Sequence, residues 1–288
     1  MTNHTITALV TGASSGIGAR VCELLVAEGV QVFGAARRTG AVATIDGVVP
    51  VRLDLEDPQS IRAAIRTVTD EAGPIDILVN CAGYGEFGTI EETGIDDAKR
   101  QLDVNVFGAM QLIQEALPGM RSARNGRIVN VSSLAGEFSS PLGGWYHASK
   151  FALEALSDAL RGEVGQFGID VAIVQPSYVA TDWHDVAMER LAEASGAGPY
   201  AHMASAMRTY FASGRVAKQM STVDEVARVI VKAATDTKPK TRYRVGKGAN
   251  VAVAMAKFLP DRAFDKLTAM QFGYKPAPQA NEPSTLLV

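Results

Sequence analysis

The sequence contains few of the residues that characterise several common classes of protein. Its 288 residues include only two cysteines, Cys22 and Cys81, which are too few for the disulfide framework of a small secreted domain. The four histidines are scattered without the spacing of metal ligands, so we predict no metal site. The formal net charge of −3 argues against nucleic-acid binding, because phosphate neutralisation requires clustered lysine and arginine.

Long hydrophobic runs are also absent from the sequence. A membrane-spanning helix needs about 18 or more consecutive apolar residues, and the apolar run at 251–256 already ends at Lys257. The N-terminal residues, MTNHTITALVTG, lack the basic region and the apolar core of a signal peptide. We therefore expect a cytoplasmic protein with no membrane span.

Short apolar runs alternate with longer segments of helical periodicity, which indicates an α/β protein with a parallel sheet. The predicted strands cover residues 6–10, 31–35, 48–53, 75–79, 127–131, 171–175 and 241–245. The predicted helices cover residues 17–28, 58–72, 96–117, 146–167 and 223–235. Because connections between parallel strands are right-handed, this order predicts a single-domain Rossmann fold over residues 1–248. We expect a doubly wound seven-stranded parallel sheet with helices on both faces.

Three segments depart from the alternation of strands and helices. Residues 182–220 show no strand pattern after the sixth strand, and we predict that they form a lid over the sheet edge. Residues 249–274 are predicted to form a C-terminal helical extension, which could cover either a pocket or an interface between subunits. Residues 275–288 are rich in proline and polar residues and are predicted to be a disordered tail.

One run of basic residues coincides with the last predicted strand. Its residues alternate along the chain, so we interpret them as one solvated face rather than a nucleic-acid patch. The residues are Lys238, Lys240, Arg242 and Arg244.

A glycine-rich turn follows the first predicted strand directly. Glycines at such a turn let the backbone approach a pyrophosphate, which binds at the positive end of the next helix. The residues of this predicted phosphate site are Gly12, Ser14, Ser15, Gly16, Ile17 and Gly18. The turn also satisfies the G-x-S-x-G pattern of α/β-hydrolases, but that fold needs sheet strands upstream and only one short strand precedes Ser14. We therefore reject the hydrolase interpretation.

The end of the second predicted strand indicates which dinucleotide would bind. An enzyme that uses NAD places an acidic side chain here to bind the ribose hydroxyls. Ala36 stands at that position, and no acidic residue follows until Asp46. Arg37 and Arg38 instead offer charge-assisted donors to a 2′-phosphate, although Arg38 fits a solvated surface position equally well. The pattern favours NADP(H).

A tyrosine and a lysine lie one helical turn apart at the start of the fourth predicted helix. The spacing places Tyr146 and Lys150 on the same helix face. An ammonium and an oxidised nicotinamide nearby would stabilise the phenolate and lower the pKa of the tyrosine from its usual value of about 10. A pair with this spacing is common by chance. Here, however, Ser133 follows the fifth predicted strand and lies thirteen residues before Tyr146, and Asn105 lies in an apolar helical stretch.

Taken together, these motifs resemble those of the short-chain dehydrogenase/reductase family, over about the first 250 residues. The sequence near Tyr146 and the long C-terminal segment look like the 17β-hydroxysteroid and retinol dehydrogenase branch. The resemblance implies that Ser133 binds the substrate oxygen and that Tyr146 transfers the proton. It also implies that Lys150 tunes Tyr146 and holds the nicotinamide ribose, and that Asn105 supports a water beside Lys150.

The resemblance also implies further residues of the dinucleotide site, each following a predicted strand. Cys81 replaces the second asparagine of the N-N-A-G motif of the family, and Ser177 replaces a glycine after Pro176. The implied residues are Asp54, Leu55, Asn80, Ala82, Gly83, Tyr146, Lys150, Pro176, Ser177, Val179 and Thr181.

The expected activity is interconversion of a secondary alcohol with a ketone or an aldehyde. Apolar residues near the strand ends predict a small hydrophobic carbonyl or alcohol as the partner. They are Tyr84, Phe87, Phe138, Leu142, Trp145, Tyr178, Trp183 and Met188. A catalytically silent NADP-binding sensor or scaffold is the alternative, and an epimerase or dehydratase of the same superfamily ranks below it. The resemblance further implies a homodimer or homotetramer.

Overall fold

A computed structural model describes residues 5–274, and its core is one seven-stranded parallel sheet. The strands are β1 (Thr7–Thr11), β2 (Gln31–Ala36), β3 (Val48–Arg52), β4 (Ile77–Asn80), β5 (Gly126–Val131), β6 (Ile169–Pro176) and β7 (Arg242–Val245). Their order across the sheet is β3-β2-β1-β4-β5-β6-β7. The predicted doubly wound sheet is therefore confirmed.

Helices cover both faces of the sheet and its carboxyl edge. In chain order, the first six helices are α1 (Gly16–Ala27), α2 (Pro58–Ala72), α3 (Ile95–Leu102), α4 (Ala109–Ala123), α5 (Gly144–Val164) and α6 (Trp183–Ser195). The remaining helices are α7 (Ala201–Phe211), α8 (Gly214–Ala217), α9 (Val223–Thr235), α10 (Ala249–Phe258) and α11 (Asp261–Phe272). None of the helices in the described part of the chain is long and apolar enough to cross a membrane.

The strand β1, which pairs with a neighbouring strand on each side, shows why both faces of the sheet are apolar. Ala8 and Val10 point to one face, where they belong to the core formed with α1 and α9. Leu9 points to the other face and belongs to the core formed with α2 and α4. Successive side chains of a strand alternate between the two faces, so a strand covered on both sides is apolar throughout.

Local sequence signals determine where α2 and α9 begin. The side chain of Asp57 accepts a hydrogen bond from the backbone N–H of Gln59 at 2.8 Å, and Pro58 occupies the first helical position. Thr222 and Glu225 form a reciprocal capping box at the start of α9. Both helices have the bounds that the sequence predicted.

The predicted helix over 96–117 is interrupted by a wider turn. A π-helical turn, Asp103–Gly108, joins α3 to α4. Such turns insert one extra residue into the helix and often occur at functional sites. Asn105 lies inside this turn and is almost fully buried.

Of the three segments that depart from the alternation of strands and helices, the first two lie over the carboxyl edge of the sheet. Residues 182–220 form α6, α7 and α8, and residues 249–272 form α10 and α11. The inner faces of α6, α7, α10 and α11 line a cavity at this edge. The helices of the C-terminal extension thus cover a pocket, and a part in an interface between subunits stays a prediction. The predicted disorder of 275–288 concerns residues outside the described part.

The two arginines of the basic run form ion pairs that its interpretation as one solvated face did not include, although Arg244 is exposed and Arg242 is half-buried. Arg242 pairs with Glu154 at 2.9 Å and with Asp158 at 2.6 Å, both on α5. Arg244 pairs with Glu137 at 2.8 Å. The side chains of Glu154 and Glu137 are nearly buried, and the arginines of the edge strand β7 neutralise them. Lys238 and Lys240 are exposed, as the sequence predicted.

We expect Arg242→Met to lower the free energy of unfolding by about 2 kcal/mol, because it leaves the buried carboxylate of Glu154 without its ionic partner. The midpoint of urea denaturation measures the loss. Arg228→Met is the matched control, since it breaks an exposed pair with Asp224 on α9. That change should cost much less, because an exposed ion pair contributes little to stability. Equal losses in the two variants would contradict the assignment of a buried pair.

Candidate active site

A cavity of about 1460 Å³ runs along the carboxyl ends of the strands. Ligands of open α/β sheets bind at this edge, where the chain leaves neighbouring strands in opposite directions. Here β1 is followed by β2 on one side, whereas β4 lies on the other. Sites for one small molecule usually occupy about 300–1,000 Å³, so this cavity has room for two ligands.

The glycine loop after β1 forms one wall of the cavity at close quarters with other backbone. A Cβ atom on Gly18 would lie 2.3 Å from the carbonyl oxygen of Gly12. Gly12 has a φ of 71° and lies against the backbone of Ala82, so a larger residue is excluded there as well. No side chain caps the N-terminus of α1 at Ser15. Its N–H groups therefore suit a bound phosphate, and all six predicted residues of the loop line the cavity.

The next stretch of wall comes from the ends of β2 and β3. Ala36 and Arg37 line the cavity, whereas Arg38 does not. Asp54 and Leu55 also line it, as the resemblance implied. Asp54 does not cap α2, because Asp57 occupies that position. This part of the cavity therefore contains the arginine expected to face a 2′-phosphate.

The residues at the end of β4 and directly after it differ in whether they line the cavity. Ala82 and Gly83 line the cavity, but Asn80 does not. The amide of Asn80 donates to Asn130 at 2.9 Å, which ties β4 to β5. Cys81 lines the cavity, and burial raises the pKa of its thiol to about 12, which keeps the thiol protonated at neutral pH.

Thr11 has a role that the sequence analysis missed. Its hydroxyl oxygen accepts hydrogen bonds from the backbone N–H groups of Cys81 and Ala82, each at 3.0 Å. These bonds join the start of the glycine loop to the turn after β4. The only signal for this role in the sequence is that Thr11 immediately precedes Gly12.

Ser133, Tyr146 and Lys150 meet at the centre of the cavity. Ser133 follows β5, and its hydroxyl lies 3.5 Å from the carbonyl oxygen of Pro176. Tyr146 lies in the first turn of α5, and the Nζ atom of Lys150 lies 5.9 Å from the centre of its ring. The ammonium of Lys150 donates to the carbonyl oxygen of Val131 at 3.0 Å. The three side chains that the sequence grouped are thus brought together.

Burial dominates the proton affinity of these groups. It raises the pKa of Tyr146 to about 12, although a hydrogen bond with Ser133 acts in the opposite direction. Burial also lowers the pKa of Lys150 to about 8. The lowering of the tyrosine pKa that we expected from Lys150 and an oxidised nicotinamide together is not produced by the protein alone. The phenol is protonated at neutral pH.

Asn105 lies behind the cavity wall rather than in it. Its amide oxygen accepts from the backbone N–H of Tyr84 at 3.1 Å. Its amide nitrogen donates to the carbonyl oxygen of Tyr84 at 2.9 Å and to the hydroxyl of Ser149 at 3.1 Å. A Cβ atom on Gly83 would lie 3.1 Å from this amide and 3.7 Å from Lys150. The position is next to Lys150, and the water-supporting role stays a prediction.

Pro176, Ser177, Val179 and Thr181 line the cavity beyond β6. Gly246 has a φ of 125°, and a Cβ atom there would lie 2.6 Å from the Cβ of Ser177. Ser177 thus fits where the family usually has glycine because its neighbour is a glycine. Thr181 reaches back towards the glycine loop, since its methyl group would lie 3.6 Å from a Cβ on Gly16.

The family model for short chain dehydrogenases matches residues 6–191. The chain belongs to this family. A probable short-chain type dehydrogenase/reductase, VdlC, of Helicobacter pylori is 33% identical over 90% of this chain and 95% of that protein. An NADPH-dependent 3-dehydrocapnine reductase of Ornithobacterium rhinotracheale is 30% identical over 90% of this chain and 95% of that protein.

A solved structure supports the same assignment for this short-chain dehydrogenase. A short-chain dehydrogenase from Streptomyces avermitilis is 32% identical and superposes with a TM-score of 0.75, covering 94% of this chain and 97% of that one. At this coverage, the match includes the sheet and the helices on both of its faces. The 17β-hydroxysteroid and retinol dehydrogenase branch stays a prediction.

The part of the cavity beside Tyr146 in this short-chain dehydrogenase is largely aromatic. Of the eight apolar residues that the sequence selected, five line the cavity, namely Tyr84, Phe87, Phe138, Tyr178 and Trp183. Leu142, Trp145 and Met188 do not line it. The sequence analysis missed further lining residues of the lid and the extension, which include Met207, Phe211, Met255, Phe264 and Leu267. These residues reach the cavity through the packing of helices that are distant in the sequence.

Two histidines of this short-chain dehydrogenase, His147 and His184, lie close to the cavity. His147 packs beneath the loop after β5, where its Nδ1 atom donates to the carbonyl oxygen of Phe138 at 2.6 Å. His184 lines the cavity beside Trp183. Within residues 5–274, no three histidine, cysteine, aspartate or glutamate side chains are grouped to hold a metal ion.

Replacing Lys150 with methionine tests whether Lys150 is a buried ammonium. Burial lowers its pKa from 10.5 to about 8, so between these values the unfolded chain holds more protons than the folded protein. The free energy of unfolding of the wild type should therefore rise relative to Lys150→Met as pH increases from 8 to 10. Urea denaturation across this range measures the difference, and Lys232→Met removes an exposed lysine as the control. A difference that does not change with pH would contradict the assignment.

Proposed function

We propose that this short-chain dehydrogenase is an NADP(H)-dependent oxidoreductase that interconverts a secondary alcohol with a ketone or an aldehyde. The observation that carries the proposal is the convergence of Ser133, Tyr146 and Lys150 in one cavity with the glycine loop. A serine hydroxyl and a phenol can both bind a carbonyl oxygen there. When bound, a nicotinamide cofactor supplies or accepts the hydride.

The proton affinities of the side chains suit reduction of a carbonyl group. Tyr146 holds a proton on its phenolic oxygen at neutral pH, because burial raises its pKa to about 12. It can therefore act as a general acid to the carbonyl oxygen, which Ser133 orients. The ammonium of Lys150 lies close enough to stabilise the phenolate that remains after proton transfer. In the reverse direction, the same positive charge favours removal of the alcohol proton.

The preference for NADP(H) rests on the residue types at the end of β2. Arg37 lines the cavity, and Ala36 stands where an acidic residue would bind the ribose of NAD. A guanidinium can donate two hydrogen bonds to a phosphate, whereas an acidic residue would repel it. The relative from Ornithobacterium rhinotracheale is named as NADPH-dependent, which agrees with this preference.

The character of the cavity favours a bulky hydrophobic substrate. Aromatic side chains from the strand ends, the lid and the C-terminal extension surround the space next to Tyr146. Apolar walls with few polar groups select apolar ligands, because they offer no partners for the polar groups of other ligands.

The proposal also includes a cytoplasmic location and assembly into a homodimer or homotetramer through exposed helix faces. Phe107 and Phe151, from the π-helical turn and α5, are 63% and 44% exposed, and a second subunit would cover them.

We expect Tyr146→Phe to lower the rate of NADPH oxidation with a carbonyl substrate by about 100- to 10,000-fold, because the general acid is lost. Affinity for NADPH, read from tryptophan fluorescence, should change little. Normal turnover by the variant would overturn the assignment of Tyr146. If the wild type binds NADPH but oxidises it with none of a broad panel of carbonyl compounds, the silent NADP-binding protein is the better description.

The cofactor preference is tested by Arg37→Ala with Arg38→Ala as its matched control. Hydrogen bonds to a charged group contribute about 1.5–3 kcal/mol, so Arg37→Ala should weaken NADPH binding about 10- to 100-fold. Its effect on NADH should be small. Arg38→Ala should change neither much, since Arg38 does not line the cavity. Equal loss of NADPH and NADH affinity in Arg37→Ala would contradict recognition of the 2′-phosphate.

A further inference from the structure

Trp183, the first residue of α6, lies directly beside Tyr146. The centre of its indole is 5.1 Å from the ring of Tyr146 and 5.9 Å from the ring of Phe87. Phe87 in turn lies 5.7 Å from Tyr146. At these separations aromatic rings are in van der Waals contact. The three rings therefore close one side of the space around the phenol and leave little room between them.

The indole reaches this position because Gly85 has no side chain. A Cβ atom on Gly85 would lie 2.5 Å from the Cζ2 atom of Trp183 and 3.0 Å from Phe87. Any other residue would push the two rings away. The loop after β4 thus contains a niche for the indole, and the lid helix α6 begins where the chain can fill it.

The cavity extends away from the three rings along the C-terminal extension. Phe138, in the loop that follows Ser133, lies 5.7 Å from Phe264 of α11. Met255 of α10 and Leu267 of α11 continue the apolar lining. A carbonyl compound held by Ser133 and Tyr146 would therefore have the three rings on one side and the apolar lining of the extension available for its larger substituent.

We propose that Trp183 determines substrate specificity by restricting one substituent of the reacting carbonyl to a small group. The enzyme then prefers methyl ketones and aldehydes whose other substituent is a long apolar chain. This inference rests on the proposed function, since it concerns the same site. Trp183 is a specificity-determining residue that acts through the space it occupies.

Two isomeric ketones, 2-decanone and 5-decanone, provide the test, because they have the same composition but differ in how it is divided. The carbonyl carbon carries a methyl and an octyl group in 2-decanone, and a butyl and a pentyl group in 5-decanone, so only 5-decanone lacks a small substituent. One excess methylene in a tight pocket changes kcat/KM by about 10- to 200-fold. The wild type with NADPH should therefore favour 2-decanone by at least about 10-fold. Trp183→Ala should remove most of this preference by raising kcat/KM for 5-decanone, and Trp183→Phe should fall between the two.

Two further variants separate this role from a general structural effect. Gly85→Ala should displace the indole and reduce the preference without any change at Trp183 itself. Trp145→Phe is the matched control, since Trp145 precedes Tyr146 but does not line the cavity, and the preference should persist. A wild-type ratio near one, or a Trp183→Ala variant that loses activity equally on both ketones, would overturn the inference.

Failure of the proposed function gives a different result. If the wild type turns over neither ketone, calorimetric titration in the presence of NADP⁺, which does not react with a ketone, still compares their binding. Tighter binding of 2-decanone that Trp183→Ala abolishes would support the role of Trp183 without the proposed activity. Equal binding of the two isomers would overturn it.

Discussion

The close approach of the glycine loop to the turn after β4 determines where every other part of the cavity can lie. The backbones of Gly12 and Ala82 are so near that a Cβ atom on Gly12 would lie 3.0 Å from Ala82. Thr11 holds the two segments together through hydrogen bonds to the N–H groups of Cys81 and Ala82. With this contact in place, the N-terminus of α1 faces the cavity, and Gly83 lies against Lys150. The proposed phosphate site and the proposed catalytic groups are thus connected through one junction.

A second constraint is electrostatic, because Lys150 and Tyr146 are both buried in the site. Among the described residues, no carboxylate forms an ion pair with the ammonium of Lys150 or a hydrogen bond with the phenol of Tyr146. The ammonium of Lys150 bonds to the carbonyl oxygen of Val131, which only partly replaces water. Burial therefore favours the neutral forms of both Lys150 and Tyr146. Negative charge that develops on the phenol relieves the cost of the ammonium, and the ammonium stabilises that charge. The site is thus complementary to the ionised state rather than to the resting one.

The sequence could predict the sheet and most of the site, because these depend on local patterns at strand ends. It grouped Ser133, Tyr146 and Lys150, which line one cavity, and it gave the bounds of α2 and α9, which caps mark in the structure. It could not show that Asn80 bonds to Asn130, since that contact depends on the pairing of two strands. The partners of Arg242 were missed for the same reason, because alternation along a strand does not reveal a distant acid. The position of the extension also required the tertiary structure.

The extension is joined to the catalytic loop by charge as well as by apolar contacts. Glu137 follows Ser133 by four residues and pairs with both Arg244 of β7 and Lys257 of α10. Burial acts to raise the pKa of Glu137, but hydrogen bonds from Arg244, Lys257 and Gln175 outweigh it and lower the pKa to about 2. Because the pKa of Glu137 is lower in the folded protein than its ordinary value of 4.5, the ionised carboxylate stabilises the fold at higher pH. This contribution to stability is lost only as the pH falls towards 2. The carboxylate therefore keeps its charge at neutral pH. Its ion pairs with Arg244 and Lys257 therefore persist at neutral pH and tie β7 and α10 to the loop that follows Ser133.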